Sequence, residues 1–415
     1  DSERRALSAD LPTAAAQREA GRLRFDRLRA RLRGTVTASF ATREMSGDAE
    51  RSAGWELPAG PTVATAPSAA TAALSETEWW LWRLCAAGPV AGAGRLVGEW
   101  LPWLQRGMEA TTQRASDVFT GFDGLVTAAG GEPTEPFSAH RLEMLGTCPR
   151  RYFYRYALGL REVEEWELDP ERWLPAREFG LLLHDVFCRH LRDGEPLAAA
   201  LAANIALYRE RFPPPSEGVF RRDCRRLDRA CRMFAAEPRT GQPVDFEAEI
   251  PPQPIALPGG TTILVRGRMD RVDEVPDGLE LWDYKTGGTA PYAKKNPLRE
   301  GRVLQHALYI AIAEKHYRKP VRRFCYYFPT EKGRGETLEF TPAELAGAPA
   351  VLAALRQLVV TGVFPATTDE KDCRCCDFQS VCGDVNAVTA QSARKLRSPA
   401  NGVLAPFRQL RREAE

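Results

Sequence analysis

VRGRMDRVDEVPDGLELWDYKTG, residues 265–287, is the stretch on which the fold of this chain turns. It reads as parts of two strands, 261–273 (TTILVRGRMDRVD) and 278–285 (GLELWDYK), each ending in a carboxylate. Asp270 closes the VRGRMD run and Asp283 follows thirteen residues later. Asp283 and Lys285 are two apart, so on a strand both side chains leave the same face, with Leu281. Trp282 and Tyr284 point the other way. Two carboxylates converging on one point repel unless a cation sits between them. Mg²⁺ suits such a pair because it prefers hard oxygen ligands and keeps waters for a substrate phosphate. A lysine beside it can position or deprotonate a water and stabilise charge on a phosphorane-like transition state. D-x-K alone is common by chance, and two acids that merely end strands beside a solvated lysine are the competing reading.

Outward from that stretch the order is mixed. Helical periodicity runs through 139–158, 176–193, 196–211 and 216–236, and a strand-like segment VDFEAEI covers 244–250. Downstream come an amphipathic helix at 302–317, strands near 322–328 and 335–340, and a helix at 342–360. Three meandering strands, a helix and further strands imply an α/β domain with one central mixed sheet flanked by helices. His184 sits mid-helix in FGLLLHDVF, where a lone histidine is more often a satisfied core residue than a ligand. Gln305 and Tyr309 are spaced i, i+4 and share a helix face.

Four pieces in this order, GLLLH (180–184), GRMDRVD (267–273), DYKTG (283–287) and QHALY (305–309), resemble the RecB-like branch of the PD-(D/E)XK nuclease superfamily. The resemblance implies a restriction-endonuclease-like core. It implies that His184, Asp270 and Asp283 bind Mg²⁺ or Mn²⁺ and that Lys285 acts on the attacking water. Gln305 and Tyr309 would help hold the DNA and the site. On the same reading Asp270, Asp283, Lys285, Gln305 and Tyr309 form the catalytic set, with Glu249 on the preceding strand as an extra acidic contributor. The implied activity is a metal-dependent DNA exonuclease. The alternatives are a stand-alone RecB-like exonuclease for single strands and a DNA-binding scaffold without catalysis.

The chain has ten cysteines. Cys85, Cys188, Cys224, Cys231 and Cys325 sit among apolar or helical neighbours and read as ordinary thiols. CRCCDFQSVC at 373–382 differs: Cys373, Cys376 and Cys382 make C-x2-C-x5-C, and Cys148 lies more than two hundred residues earlier in TCPRRYFYRYALGL. Four thiolates suit either Zn²⁺ or an iron–sulfur cluster. The arrangement resembles the [4Fe–4S] staple of AddB-type nucleases, with similar arrangements in AdnAB enzymes and CRISPR-associated RecB-like exonucleases. The resemblance implies a cluster on these four cysteines that ties the two ends of the domain together, zinc being the alternative. Cys375 departs from the simplest pattern and could substitute for a neighbour.

Around Cys148, five arginines against Glu143 interleave with Tyr152, Phe153, Tyr154 and Tyr156. Arg150, Arg151 and Arg155 therefore read as a backbone track for single-stranded DNA with stacking surfaces. RRDCRRLDRACR at 221–232 reads first as a solvated helix face.

Four regions are expected. Residues 1–42 are Arg-rich, with a strand-like TVTASFA at 35–41, and resemble the end of a helicase-like domain. Residues 43–137 form a linker and a Trp-rich helical region whose tryptophans read as packing, with a boundary at 123–137. Residues 138–390 are the nuclease domain with its staple, and 391–415 are a basic C-terminal tail. The 415 residues carry 57 Lys and Arg against 55 Asp and Glu, with 44% hydrophobic residues. That composition excludes a disordered chain and a histone-like polycation. By eye no apolar run approaches the roughly 20 residues of a membrane span, so a cytoplasmic bacterial protein without membrane contact is expected. No GxxxxGK[ST] occurs, so ATP hydrolysis would belong to a partner. The resemblance makes that partner an AddA-type motor subunit. The start at Asp1 reads as a piece of a longer subunit.

Overall fold

The computed structural model describes residues 13–31, 33, 43–44, 47–48, 75–76, 79, 82–83, 93–100, 102–161, 169–237, 241–292 and 294–412. The chain divides into two compact units, Asp1–Glu99 and Trp100–Glu415. In the first, α1 (Ala14–Arg31) is a largely exposed, polar helix. The strand read at 35–41 lies outside the described residues. Helices α2 (Ala93–Trp100) and α3 (Pro102–Ala115) carry the predicted helical periodicity. Trp103 on α3, read from the sequence as a packing residue, is 68% exposed.

The second unit is built on a five-stranded sheet in the order β1-β2-β3-β4-β5. Its strands are β1 (Gln242–Ala256), β2 (Thr262–Val275), β3 (Gly278–Tyr284), β4 (Val321–Phe328) and β5 (Glu336–Phe340). All neighbours are antiparallel except β3 and β4, which run parallel. A parallel pair needs a crossover, and α8 (Gln305–Tyr317) lies in it. Every residue of β3 is buried, as a strand covered on both faces must be.

The alternation read at 281–284 governs the two layers. Leu281 joins a core with Val272, Leu308, Ile312, Phe324 and Tyr326. Trp282 and Tyr284 join the opposite core, with Leu183, Phe187 and Phe234. The first core is covered by α4 (Ala139–Thr147), α8 and α9 (Ala348–Thr361). The second is covered by α5 (Ala176–Asp193), α6 (Leu197–Arg211) and α7 (Glu217–Ala235). The helix read at 139–158 is broken: Pro149 opens a separate turn, Pro149–Tyr152, which passes into a π-helical turn at Phe153–Ala157.

Two segments read as connecting chain are part of this unit. Across 123–137, Asp123 and Phe137 are buried, and Phe137 bonds Leu264 and Arg266 through its backbone. At the C-terminus, 391–415 is folded rather than a tail as far as Arg412. Helices α10 (Val385–Arg397) and α11 (Ala405–Arg412) put Leu396, Leu404, Phe407 and Leu410 into the main core. Lys395 is buried against Asp123 at 2.7 Å. Isolated apolar anchors among Gly, Pro and Arg escape a periodicity search, which explains both readings.

Ala343–Thr361 matches a membrane span in length and composition, with a mean hydropathy of 1.4. The reading that no apolar run approaches that length was therefore too narrow. Its Val351, Leu352, Leu355 and Leu358 are buried in the core of this unit, which accounts for their hydropathy.

Candidate active site

The β2–β3 pairing runs from Val275↔Gly278 to Arg271↔Trp282 and stops one pair short of Asp270 and Asp283. The two strands part where the two carboxylates project. The Tyr284 amide then donates to Asp270 Oδ2 at 2.7 Å. His184 comes from the middle of α5, and its Nε2 donates to the Tyr284 carbonyl at 2.9 Å, because a carbonyl can only accept. That bond leaves Nδ1 turned to Asp270 Oδ1, 3.3 Å away.

Glu247 completes the group, its Oε1 3.9 Å from His184 Nδ1 and its Oε2 2.7 Å from Arg268 Nε. Among the described residues, His184, Glu247 and Asp270 form the one trio whose ligand atoms all lie within 4.8 Å of one another. The acid on β1 is therefore Glu247 and not Glu249, which is exposed and lines a neighbouring groove with Arg266 and Arg268. Glu247 has φ 50°, and the β1–β2 register passes from Phe246↔Arg271 to Ala248↔Met269 around it. A left-handed glutamate in a strand is strained, and strain of this kind collects at functional sites. Alternation in VDFEAEI puts 245, 247 and 249 on one face and does not choose among them. The local backbone kink does.

Asp283 is buried and lies beside this trio rather than inside it. Its Oδ2 is 2.6 Å from Lys285 Nζ, and its Oδ1 accepts from Gln305 Nε2 at 2.6 Å. Gln305 Oε1 in turn accepts from Lys285 Nζ at 2.8 Å. Gln305 and Tyr309 share a face of α8, as their spacing requires. The Tyr309 ring packs over Gly267, where an added Cβ would stand 2.6 Å from Cε1. The first turn of α8 is held by Glu143, which the sequence reading noticed only as a charge among arginines. Its Oε1 accepts from the Leu304 and Gln305 amides at 2.8 and 3.0 Å, where a carboxylate also meets the positive end of the helix dipole.

The charges are crowded. Burial alone would lower the His184 pKa, but Asp270, Asp283 and Glu247 outweigh it and raise it to about 9. Burial pushes the Asp283 carboxyl up to about 6 against the pull of Lys285. Burial and the neighbouring Asp270 charge also raise Glu247. Asp270 is lowered, because His184 and Lys285 overcome its desolvation. An excess of acids around one imidazole with a directed lone pair is a donor set suited to a divalent cation.

The cysteines assigned to a staple lie close enough to perturb one another. Burial raises the Cys148 thiol, with a further push from Cys382. Burial also takes Cys373 up to about 11, reinforced by Cys148, Cys376 and Cys382. Cys375 is exposed. Of the other five, Cys188, Cys231 and Cys325 are buried, Cys224 is half-buried, and Cys85 lies outside the described residues.

The arginines read as DNA contacts are placed differently from one another. Arg151 pairs with Asp377 at 3.1 Å across 226 residues of chain, and Arg150 donates to the Asp123 carbonyl at 2.8 Å. Arg155 is half-buried on the π-helical turn. In the second basic run, Arg221, Arg222, Arg226, Arg229 and Arg232 are each paired with an acid, so it is a solvated helix face.

A family model for the PD-(D/E)XK nuclease superfamily matches residues 136–383. The B-type subunit of an ATP-dependent helicase/deoxyribonuclease from Symbiobacterium thermophilum is 32% identical over 226 residues, 45% of this chain and 17% of that protein. Its counterpart from Desulfitobacterium hafniense is 26% identical over 208 residues, 42% of this chain and 16% of that protein. The chain thus spans about one sixth of the length of these relatives. Among solved structures, a putative exonuclease from Eubacterium rectale aligns with a TM-score of 0.34 at 13% identity, over 56% of this chain and 84% of that one.

Proposed function

The chain belongs to the PD-(D/E)XK nuclease superfamily, and on that premise we propose that it is a divalent-metal-dependent deoxyribonuclease degrading DNA from its ends. The carrying observation is the convergence of His184, Glu247 and Asp270 beside the Asp283–Lys285–Gln305 group. His184, Asp270, Asp283 and Glu247 would hold Mg²⁺ or Mn²⁺, which when bound activates water and polarises a phosphoryl oxygen.

The chain's own residues orient the rest. Tyr284 fixes Asp270 through its amide and His184 through its carbonyl. Gln305 keeps Lys285 against Asp283, so the ammonium is presented in one place, where it can neutralise charge developing on a scissile phosphate. Tyr309 and Gly267 form one wall of a groove of about 580 Å³ that also carries Arg266 and Arg268, a surface suited to a phosphate backbone.

In this reading Cys148, Cys373, Cys376 and Cys382 carry a [4Fe–4S] cluster that closes the domain. The wider protein is the nuclease-bearing subunit of a bacterial, cytoplasmic helicase–nuclease. It works on single-stranded ends during recombinational repair of double-strand breaks, beside an AddA-type motor. The names of the curated relatives support that setting.

The test is cleavage of end-labelled linear and of circular single-stranded DNA with Mg²⁺, Mn²⁺ or EDTA. Linear DNA should be degraded only with metal, and circles should survive. Cleavage of circles would overturn the exonuclease assignment, and no metal-dependent cleavage of either would overturn the nuclease reading.

A further inference from the structure

Behind the carboxylates, on the opposite face of the sheet, lies a charged cluster that the proposed chemistry does not use. Arg271 is 0% exposed. Its Nη1 donates to Glu237 Oε2 at 2.8 Å and to the Tyr284 hydroxyl at 2.6 Å, and its Nε lies 2.8 Å from Asp273 Oδ1. The guanidinium stacks over Trp282, 4.4 Å from the ring centroid. Burying these charges costs several kcal/mol before pairing, and a hydrophobic cluster of similar volume would often stabilise a core as well. Stability is therefore a weak reason for the cluster, whereas a fixed geometry is a better one.

What it fixes is Tyr284. The hydroxyl is gripped by Arg271 on one face, and the ring meets Phe187 and Phe234 edge-on at 5.4 and 5.3 Å. The backbone of the same residue faces the catalytic side. There its N–H holds Asp270 Oδ2 and its C=O holds His184 Nε2. It does so at the point where the β2–β3 ladder has ended, so no strand pairing sets the distance between Tyr284 and Asp270. Glu237, just past the end of α7, adds a tie from the helical layer to the same guanidinium.

We propose that Arg271 and Tyr284, locked together by Glu237 and Asp273, are positioning residues that set the spacing of His184 and Asp270 and so tune the affinity of the site for its divalent cation. The inference rests on the metal-dependent nuclease reading above. Removing the Tyr284 hydroxyl lets β3 relax where the ladder no longer holds it, and two ligands then move apart together.

The experiment compares the full chain with Tyr284→Phe, and with Tyr327→Phe as a control. Tyr327 loses a bond of the same kind, to the Met233 carbonyl at 2.6 Å, from a neighbouring ring 6.4 Å from Tyr284. Mn²⁺ binding is measured by calorimetry without DNA, thermal unfolding without metal, and cleavage as a function of Mn²⁺. Tyr284→Phe should weaken Mn²⁺ binding about tenfold or more, as loss of a partner behind a ligand does. Its cleavage should be recovered at high Mn²⁺, and Tyr327→Phe should bind like the parent. If Tyr284→Phe unfolds earlier but binds Mn²⁺ as the parent does, or if both variants weaken binding alike, the cluster is structural only and the proposal is overturned. Should Tyr284→Phe fail to fold, Arg271→Lys takes its place with the same expected and overturning results. A parent chain that neither binds Mn²⁺ nor cleaves DNA would instead sink the nuclease reading itself.

Discussion

Gln305 donates to Asp283 Oδ1 across 2.6 Å, and the same amide accepts from Lys285 through its oxygen. One side chain on α8 thus closes a triangle with two on β3 and its exit. Replacing Asp283 or Lys285 by Ala should cut cleavage by about 10²–10³-fold or more with the fold intact. Gln305→Ala should cost about 10–100-fold, because it only orients the pair. Magnesium-dependent cleavage at parental rate in Asp283→Ala or Lys285→Ala would refute the assignment.

Glu247, not Glu249, should matter for the cation. Glu247→Gln removes a charge from the trio within 4.8 Å and should weaken Mn²⁺ binding about tenfold or more. Glu249→Gln should leave binding unchanged. Calorimetric titration of both variants distinguishes them, and the reverse ranking would contradict the placement of Glu247.

The C-terminal helices should be structural. Lys395 and Asp123 are both buried and pair at 2.7 Å. Lys395→Met leaves Asp123 buried without its partner and should cost about 3–5 kcal/mol, read from urea unfolding. The double variant Lys395→Met with Asp123→Leu should recover part of that. A loss under about 1 kcal/mol for the single change would mean that the pair is not closed in solution.

His306 should make the domain acid-sensitive. Its ring is fully buried among Phe324, Tyr326 and Phe340, and neither ring nitrogen has a hydrogen-bond partner. Burial lowers its pKa from 6.5 to about 3. The unfolded chain therefore binds a proton between those values that the folded chain does not. Stability is fully present above pH 6.5 and falls as pH drops toward 3, by about 2 kcal/mol at pH 5. Urea unfolding at pH 7.5 and pH 5 measures it, and His306→Leu should remove that share of the pH dependence. An unchanged slope in the variant would assign the acid sensitivity elsewhere.

The cysteines should carry a chromophore. Protein purified without oxygen should be brown and absorb near about 400 nm, as iron–sulfur clusters ligated by four thiolates do. Cys148→Ser and Cys382→Ser should bleach it, whereas Cys375→Ser should not, since Cys375 is exposed. Colourless, zinc-loaded protein would favour the tetrahedral alternative.

Local spacing was enough to fix what depends on local geometry. The two-residue period placed Asp283 with Leu281 and away from Trp282 and Tyr284, and the helical period put Gln305 and Tyr309 together. The order of the motifs pointed to a family whose model covers 136–383. Other features depend on which distant residues meet, and no periodicity encodes that. Glu247 enters the site through a kink that interrupts strand register, and Glu143 reaches the first amides of α8 from 161 residues away. Arg271 looked like one more exposed arginine until the sheet buried it against Glu237. Lys395 and Phe407 looked like tail until α10 and α11 closed on the core. A charged side chain is legible as functional or structural only once its partner is known, and here the partners are set by tertiary packing.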